Sequence, residues 1–477
     1  MVHTDPVLRA PRPGLVRRRP SASGWWIPLV LGICGCGQAP DRPPTHDVIL
    51  VSLDTLRGDR AGTSLNRSGE RRTTMPTLEQ WAQEGLRFER AYSSAPQTAA
   101  SHMSIFSGLA PLVHGVGNAQ PDSKTVTALH PDWPTLAEAL SEQGFATAGI
   151  ANGGQLLPEM GFDRGFDVYV SALTEPAAQL RHVESVLEVT PTDQPLFLFF
   201  HTYLPHAPYL PQPARFEAFT DPGYRGPFRQ RYEGLLGLDL AEAHRLSGQF
   251  LEIDRDPNKR DLRFLSDLYD ANLARADSAL SRLAKVVENS GRDRDQLWCV
   301  TSDHGEAFGE HGELGHKRRL DGELLHVPLV MRSVGFSYSI DAGTLSDPFG
   351  LDCLASELLF GLGLEVPAEW NVAEGPGALS QIGFVQDWQQ SLTLDRRRYF
   401  VAGGRDGRRS WVFDLESDPL EQNPLEPTYD DSARFEYLDQ VMLRAAQDTR
   451  DRRPVRRAIE LDSRTQAELE ALGYAED

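Results

Sequence analysis

Cysteine is scarce in this chain, with four in 477 residues. Cys34 and Cys36 fall within the first forty residues, Cys299 lies in an apolar run, and Cys353 stands well away from it. No Cys-x-x-Cys pair occurs, so neither a disulfide framework nor a cysteine-rich zinc site organises the fold. A buried free thiol is the expectation for Cys299, with a Cys299–Cys353 bridge as the alternative. Positive charge is also short: Lys+Arg total 48 against 68 Asp+Glu, a net charge of −20. That balance argues against nucleic acid and against broad docking on anionic lipid. It leaves an anionic substrate open, because a bound cation inverts the local potential. Long apolar runs are missing too, and Trp25–Ile33 is too short for a comfortable membrane span. Internal repeats and extended low-complexity segments are absent. What is present is a globular composition, 40% hydrophobic and 24% charged. The length suits one large α/β domain with a smaller appendage.

The N-terminal forty residues differ from the rest. Arg17, Arg18 and Arg19 form a basic cluster, the apolar Trp25–Ile33 follows, and Cys34-Gly35-Cys36 closes the segment. A basic region, a short apolar region and small residues before a cut describe an export signal over 1–36. Its ending resembles a bacterial lipobox, with Cys36 as the lipidated residue; a plain signal peptide or a short anchor is the alternative. The proline-rich 37–45 then reads as a tether. The expectation is an exported protein, anchored to a membrane only through that lipid and facing the periplasm or cell surface.

Three apolar runs of strand length end abruptly in polar residues. Val48–Leu53 ends at Asp54, Leu196–Phe200 at His201, and Leu297–Ser302 at Asp303 and His304. Unbroken apolar runs suit strands buried on both faces of a parallel sheet. Helical patterns lie between them, at Thr135–Glu142 and Asp261–Val287, so the pattern predicts a doubly wound α/β sheet. Such sheets bind ligands beyond the carboxyl ends of their strands, where Asp54, His201, Asp303 and His304 all fall. The polar stretch Asp221–Arg260 reads as an irregular, lid-like insertion. Arg398–Ala402 and Ser410–Asp414 flank a turn-rich Gly403–Arg409, a hairpin signal for a small antiparallel subdomain. The charged tail from Asp431 reads as helical. The expected division is a catalytic α/β domain over 46–350 and a C-terminal subdomain over 351–477.

A carboxylate at the end of a buried strand is costly unless it is paired or bound to a metal, which singles out Asp54. A helix N-cap is the plainer reading of the same residue. Asp303-His304-Gly305-Glu306 offers an adjacent carboxylate and imidazole that a glycine turn directs at one ion. Thr98 opens a segment of helical spacing that stops at Gly108. At a helix N-terminus the dipole and the free N–H groups favour an oxyanion and ease deprotonation of a hydroxyl. An ordinary Thr N-cap explains Thr98 equally well when it is taken alone.

Together these residues resemble the sulfatase family of the alkaline phosphatase superfamily. Asp47–Asp59 resembles its opening strand and first metal ligand. Ser101–Gly108, continuing through Pro111 and His114-Gly115-Val116, is similar to its nucleophile helix and the turn after it. Ser302–Glu306 is similar to its second ligand motif, Leu325–Leu329 to a later strand entry, and Tyr269-Asp270 with Asp277 to a helix. Trp411–Pro419 and Leu472-Gly473-Tyr474 resemble its C-terminal hallmarks, so the likeness spans 46–477. It implies an alkaline-phosphatase-like, mostly parallel sheet with a small C-terminal antiparallel subdomain. It also implies one divalent metal on Asp54, Thr98, Asp303 and His304, with Thr98 as nucleophile. The polar residues about the substrate would be His102, His201, His206 and either His316 or Lys317.

Several positions depart from that pattern. Typical members place Cys or Ser at the nucleophile, for oxidation to formylglycine, and then Pro and Arg; here stand Thr98, Ala100 and His102. Threonine cannot become formylglycine. Thr55 replaces a second Asp, His304 replaces an Asn, and Gly149–Leu157 lacks the family's Lys and His pair. A histidine among carboxylate and hydroxyl ligands favours zinc or manganese, with calcium or magnesium as alternatives. The set suits in-line attack on a phosphate as well as on a sulfate ester. The expected substrate is a small-molecule, glycan or lipid ester. A phosphotransferase moving head groups, or a silent binding protein on the same fold, are the competing readings. His311 and His326 read either as further site residues or as loop residues, and His114 as a turn residue.

Overall fold

The computed structural model describes residues 46–458, apart from 66–68, 118–124, 173, 239–241, 244–245, 247–249, 254–255, 317–318, 336–339, 371–376, 385–386, 405–406 and 453. The segments expected to be a leader, with Cys36, and a tether, together with Lys317 and the end of the chain with Leu472-Gly473-Tyr474, lie outside the described residues.

Nine strands form the main sheet. In chain order they are β1 His46–Leu53, β2 Leu86–Tyr92, β3 Ala146–Ala151, β4 Val168–Ser171, β5 Leu196–Thr202, β6 Asp295–Thr301, β7 His326–Val334, β8 Gly343–Leu345 and β9 Phe349–Gly350. Across the sheet they run β8-β2-β7-β6-β1-β5-β3-β4, with β9 also on β2. Only β7 is antiparallel to its neighbours. The three apolar runs are the three central strands, and their alternate side chains feed two cores. Val48, Leu50, Phe197, Phe199, Leu297 and Cys299 pack on one face with Met103, Phe106, Leu136 and Leu354. Ile49, Val51, Leu198, Phe200, Trp298 and Val300 pack on the other with Val183, Leu265 and Leu280. Helices therefore cover both faces, which is why the strands carry no polar side. Among the described residues, no helix is long and apolar enough to cross a membrane.

The helical patterns fold as read, with capping boxes at Thr135 before Leu136–Glu142 and at Asn258 before Lys259–Glu288. The stretch after Asp221 departs from the irregular loop expected of it. Pro227–Leu235 is helical, and Tyr224, Phe228, Tyr232 and Phe250 are buried in the core. Its aromatics are spaced among charged residues, so their burial against Phe216 and Phe264 was hidden in composition. In the tail, the helix Ser432–Asp451 gives way to the strand Val455–Ala458, paired with Thr125–Ala128. Neither Cys299 nor Cys353 is in a disulfide, so the bridge left open by the sequence does not form.

A four-stranded antiparallel sheet follows, with β10 Ala378–Phe384, β11 Asp387–Leu394, β12 Arg397–Gly404 and β13 Gly407–Asp414. The hairpin between β12 and β13 is tighter than the Gly403–Arg409 turn expected, because pairing continues to Gly404 and Gly407. This sheet braces the main one. The Gln381 N–H donates to Ser94 O at 2.8 Å and the Ser380 hydroxyl to Ser93 O at 2.7 Å, just ahead of Thr98.

Candidate active site

Strands β5, β1 and β6 lie side by side with Ser52 opposite both His201 and Thr301. That register brings Asp54, His201, Asp303 and His304 to one end of the sheet. Thr98 begins the helix Thr98–Ser107 that points its N-terminus there. Gln97 holds the cap position and its side chain makes no capping bond, so the ordinary N-cap reading of Thr98 does not apply. Nor does Asp54 cap a helix: its N–H bonds Thr202 O at 3.1 Å, and the chain turns at Thr55. Thr55 has φ +59°, rare for a β-branched residue, and this aims its N–H at Asp303 Oδ1, 3.3 Å away.

Asp54, Thr98, Asp303 and His304 are completely buried. Thr98 Oγ1 stands 3.4 Å from Asp54 Oδ2 and 3.4 Å from His304 Nε2, which is 3.4 Å from Asp303 Oδ2. Donor atoms roughly 2.1 Å from one tetrahedral ion stand about 3.4 Å apart, so these spacings fit a shared cation. Asp54 Oδ1 and Asp303 Oδ2 are buried with no hydrogen-bond partner. Two such carboxylate oxygens are costly unless a cation lies between them. Burial and the facing Asp303 push the Asp54 carboxyl well up, whereas His304, His102 and His201 outweigh burial and hold Asp303 below the usual range. His304 Nδ1–H donates to Gly305 O at 2.9 Å, which leaves Nε2 as the lone-pair nitrogen facing the cluster. The residues present therefore fit a divalent metal.

The surrounding histidines divide into two groups. His102 donates from Nδ1 to Thr98 O at 2.8 Å and accepts at Nε2 from the Ser52 hydroxyl at 2.8 Å. It supports the first turn of the Thr98 helix from below, and neither nitrogen is left to meet a substrate. His201 accepts the Asn152 N–H at Nδ1, 3.3 Å, and donates from Nε2 to Asp54 Oδ2, 3.1 Å. On the other side, His206 donates from Nδ1 to Ala207 O at 2.6 Å, and His316 donates from Nδ1 to Glu306 Oε1 at 3.0 Å. The His316 ring centre lies 4.6 Å from that of His304 and 5.0 Å from that of His206. Burial pushes both His206 and His316 down to about 4.

Three further histidines lie in other surroundings. His311 lies beside Asp321 and Glu323, away from the first cluster, in a second grouping of possible ligands. His326 Nε2 donates to Glu89 O at 2.8 Å. His114 accepts the Val116 N–H at Nδ1, 3.0 Å, and fixes the turn after the Thr98 helix, as expected of a turn residue.

Sequence reasoning passed over several supporting groups. Glu306 is buried and binds both His316 and the Tyr209 hydroxyl, the latter at 2.9 Å. Gln155 Oε1 accepts the Ala99 N–H at 3.0 Å, at the helix N-terminus and within the segment that lacks the family's Lys and His. Ser52 and Ser302 hold His102 and the Leu56 N–H. The available signal was a serine interrupting each of two apolar strand ends, immediately before an aspartate or one residue removed from it.

The sulfatase family model matches residues 46–336. This chain belongs to the sulfatase family. Among its relatives is the multifunctional alkaline phosphatase superfamily protein PehA of Trinickia caryophylli, 22% identical over 72% of this chain and 79% of that protein. Another is the N-acetylglucosamine-6-O-sulfatase of Bacteroides thetaiotaomicron, 20% identical over 84% of this chain and 86% of that one. The fold is also that of the phosphonate monoester hydrolase of Agrobacterium radiobacter, with a TM-score of 0.60, 19% identity, and coverage of 85% and 96%. The alkaline-phosphatase-like α/β fold expected from the motifs is thus the fold observed.

Proposed function

We propose that this sulfatase-family chain is a metal-dependent hydrolase of sulfate or phosphate esters in which the Thr98 hydroxyl is the nucleophile. The observation that carries the reading is Thr98 Oγ1, 3.4 Å from both Asp54 Oδ2 and His304 Nε2 at a buried helix start. Asp54, Asp303, His304 and Thr98 would hold one divalent ion, and the histidine favours zinc or manganese. Such an ion, when bound, lowers the cost of ionising a hydroxyl and offsets charge developing on the ester oxygens. The first-turn N–H groups of the Thr98 helix favour the same negative charge. Thr98 Oγ bonds to phosphorus or sulfur, the ester oxygen departs as an alcohol carrying a proton, and water then cleaves the threonine ester. His206 and His316 border the cluster and are the groups placed to pass those protons. His102 and His201 act as positioning residues, through Thr98 O and Asp54 respectively.

A relative named for a 6-O-sulfated sugar and a fold shared with a phosphonate monoester hydrolase support an oxyanion ester of a glycan or small molecule. The test uses purified protein with its metal content measured. Turnover of an aryl sulfate, an aryl phosphate monoester and an aryl phosphate diester is compared for wild type, Thr98→Ser and Thr98→Ala. Thr98→Ala is expected to lose about 10³-fold or more in kcat and Thr98→Ser much less. Equal rates for wild type and Thr98→Ala would remove Thr98 from the chemistry, and a metal-free, inert wild type would favour a silent binder. Export and lipidation at Cys36 belong to the same proposal; Cys36→Ser is expected to abolish labelling by a fatty-acid probe.

A further inference from the structure

We propose that Glu421 is a positioning residue that clamps the turn bearing Asp303 and His304, with Arg398 as its buried counter-charge. The inference rests on the reading of Asp54, Asp303 and His304 as a metal site. Glu421 lies after β13, in the C-terminal part of the chain, and is only 4% exposed. Its backbone is left-handed, φ +53°, a conformation that a non-glycine residue adopts only when its surroundings impose it. What that conformation achieves is contact in two directions. The Glu421 carboxylate accepts the Gly322 N–H at 2.9 Å and pairs with the Arg398 guanidinium. Its carbonyl accepts from His311 Nε2 at 3.2 Å, while His311 Nδ1 lies 2.7 Å from Glu323 Oε1. Carbonyl and carboxylate both only accept, so His311 donates from both nitrogens.

Gly322–Leu325 is thereby gripped from the side chain and from the backbone of one residue. This single helical turn is what holds the metal-binding turn. The Gly305 N–H donates to Leu324 O at 2.7 Å and the Glu306 N–H to Glu323 O at 3.1 Å, directly after Asp303 and His304. The fit is tight: a Cβ on Gly305 would stand 2.0 Å from Glu323 O. At the other end Arg398 is fixed by the Thr393 hydroxyl at 2.9 Å and lies over the Tyr92 ring at 5.1 Å. A movement of Glu421 therefore passes to the backbone beside His304 by two hydrogen bonds through Gly322 and Leu324, and by three through His311 and Glu323. A plain ion pair on the same strand, Arg397 with Asp431 at 3.2 Å, makes no such connection and serves as the control.

The experiment compares wild type, Glu421→Ala, Glu421→Gln and Arg397→Ala. Hydrogen exchange at the Gly305 and Glu306 amides is measured in metal-free protein, and zinc or manganese affinity by chelator competition. Glu421→Ala is expected to speed exchange at both amides and to weaken metal binding several-fold, less than the roughly 10–100-fold cost of losing a group bonded to a ligand itself. Its kcat should fall with KM little changed. Arg397→Ala should alter neither exchange nor affinity. Glu421→Gln keeps an oxygen for the Gly322 amide and should show smaller changes of the same kind, and it decides the matter if the alanine variant does not fold. A lower melting temperature with exchange and affinity like those of Arg397→Ala would overturn the clamp. If wild type binds no metal, the functional reading falls, and the exchange measurement alone judges the clamp.

Discussion

Asp54 and Asp303 face one another in full burial, each with an oxygen that no protein donor meets. Such a pair raises the energy of the metal-free chain. Chelation is therefore expected to lower the melting temperature of wild type by a few degrees, restored by added metal. Asp54→Asn should abolish that response and melt above chelated wild type, as scanning calorimetry would record. A chelator response in Asp54→Asn equal to that of wild type would contradict it. His114 gives a second prediction at this scale. Burial pushes its imidazole down to about 3, from an ordinary 6.5. The folded ring stays neutral while the unfolded chain takes up a proton below 6.5. Its contribution is thus fully present above 6.5 and is lost as pH falls toward 3, at up to about 1.4 kcal/mol per pH unit. Urea unfolding of His114→Gln should show a shallower loss of stability than wild type between pH 6 and pH 4.

At the scale of the element, the Thr98 helix is buried on every side and owes its position to its two ends. Its start is set by the 93–97 turn, braced by β10, and its end by Gly108 at φ +63°. An alanine there meets the left-handed penalty of about 1–2 kcal/mol and places its Cβ 3.2 Å from the Trp370 ring. Gly108→Ala is expected to be destabilised by at least that amount in chemical denaturation, with Thr98 still able to turn over substrate. The stop at Gly108 was legible because a left-handed helix end is a local backbone rule. The helix Pro227–Leu235 was not, since its buried Tyr232 stacks on Phe216, which lies outside it.

Across the whole molecule, stability and chemistry occupy opposite ends of the central strands. Asp47 lies near the start of β1 and binds Arg292 through two contacts, 2.8 and 2.9 Å, and the Leu196 N–H at 2.9 Å. Removing one partner of a buried pair typically costs about 3–5 kcal/mol. Arg294, 3.3 Å from Asp47, offsets part of that, so Arg292→Met is expected toward the lower figure. Because the site is at the far end, metal content and KM should be those of wild type in the protein that remains folded. Loss of metal at a temperature where Arg292→Met is still folded would contradict this separation.

The amino-acid sequence by itself determined the sheet, the strand ends and the residues gathered there, because burial on two faces forces unbroken apolar runs and leaves Asp54, Asp303 and His304 as the polar residues at their ends. It also determined that a threonine stands where the family has a residue for oxidation. Tertiary structure alone decided which histidines face the cluster. His102 and His316 are both buried imidazoles near charged motifs in sequence; one is spent on Thr98 O and Ser52, the other stands against His304 and His206. Thr98 is one helical turn from His102, but Ser52 lies on β1 and His206 is far from His316 in the chain, so only the packing of separate elements brings these groups together. The same is true of Glu421, whose reach to Gly322 depends on how the C-terminal sheet packs, a matter that no local pattern encodes.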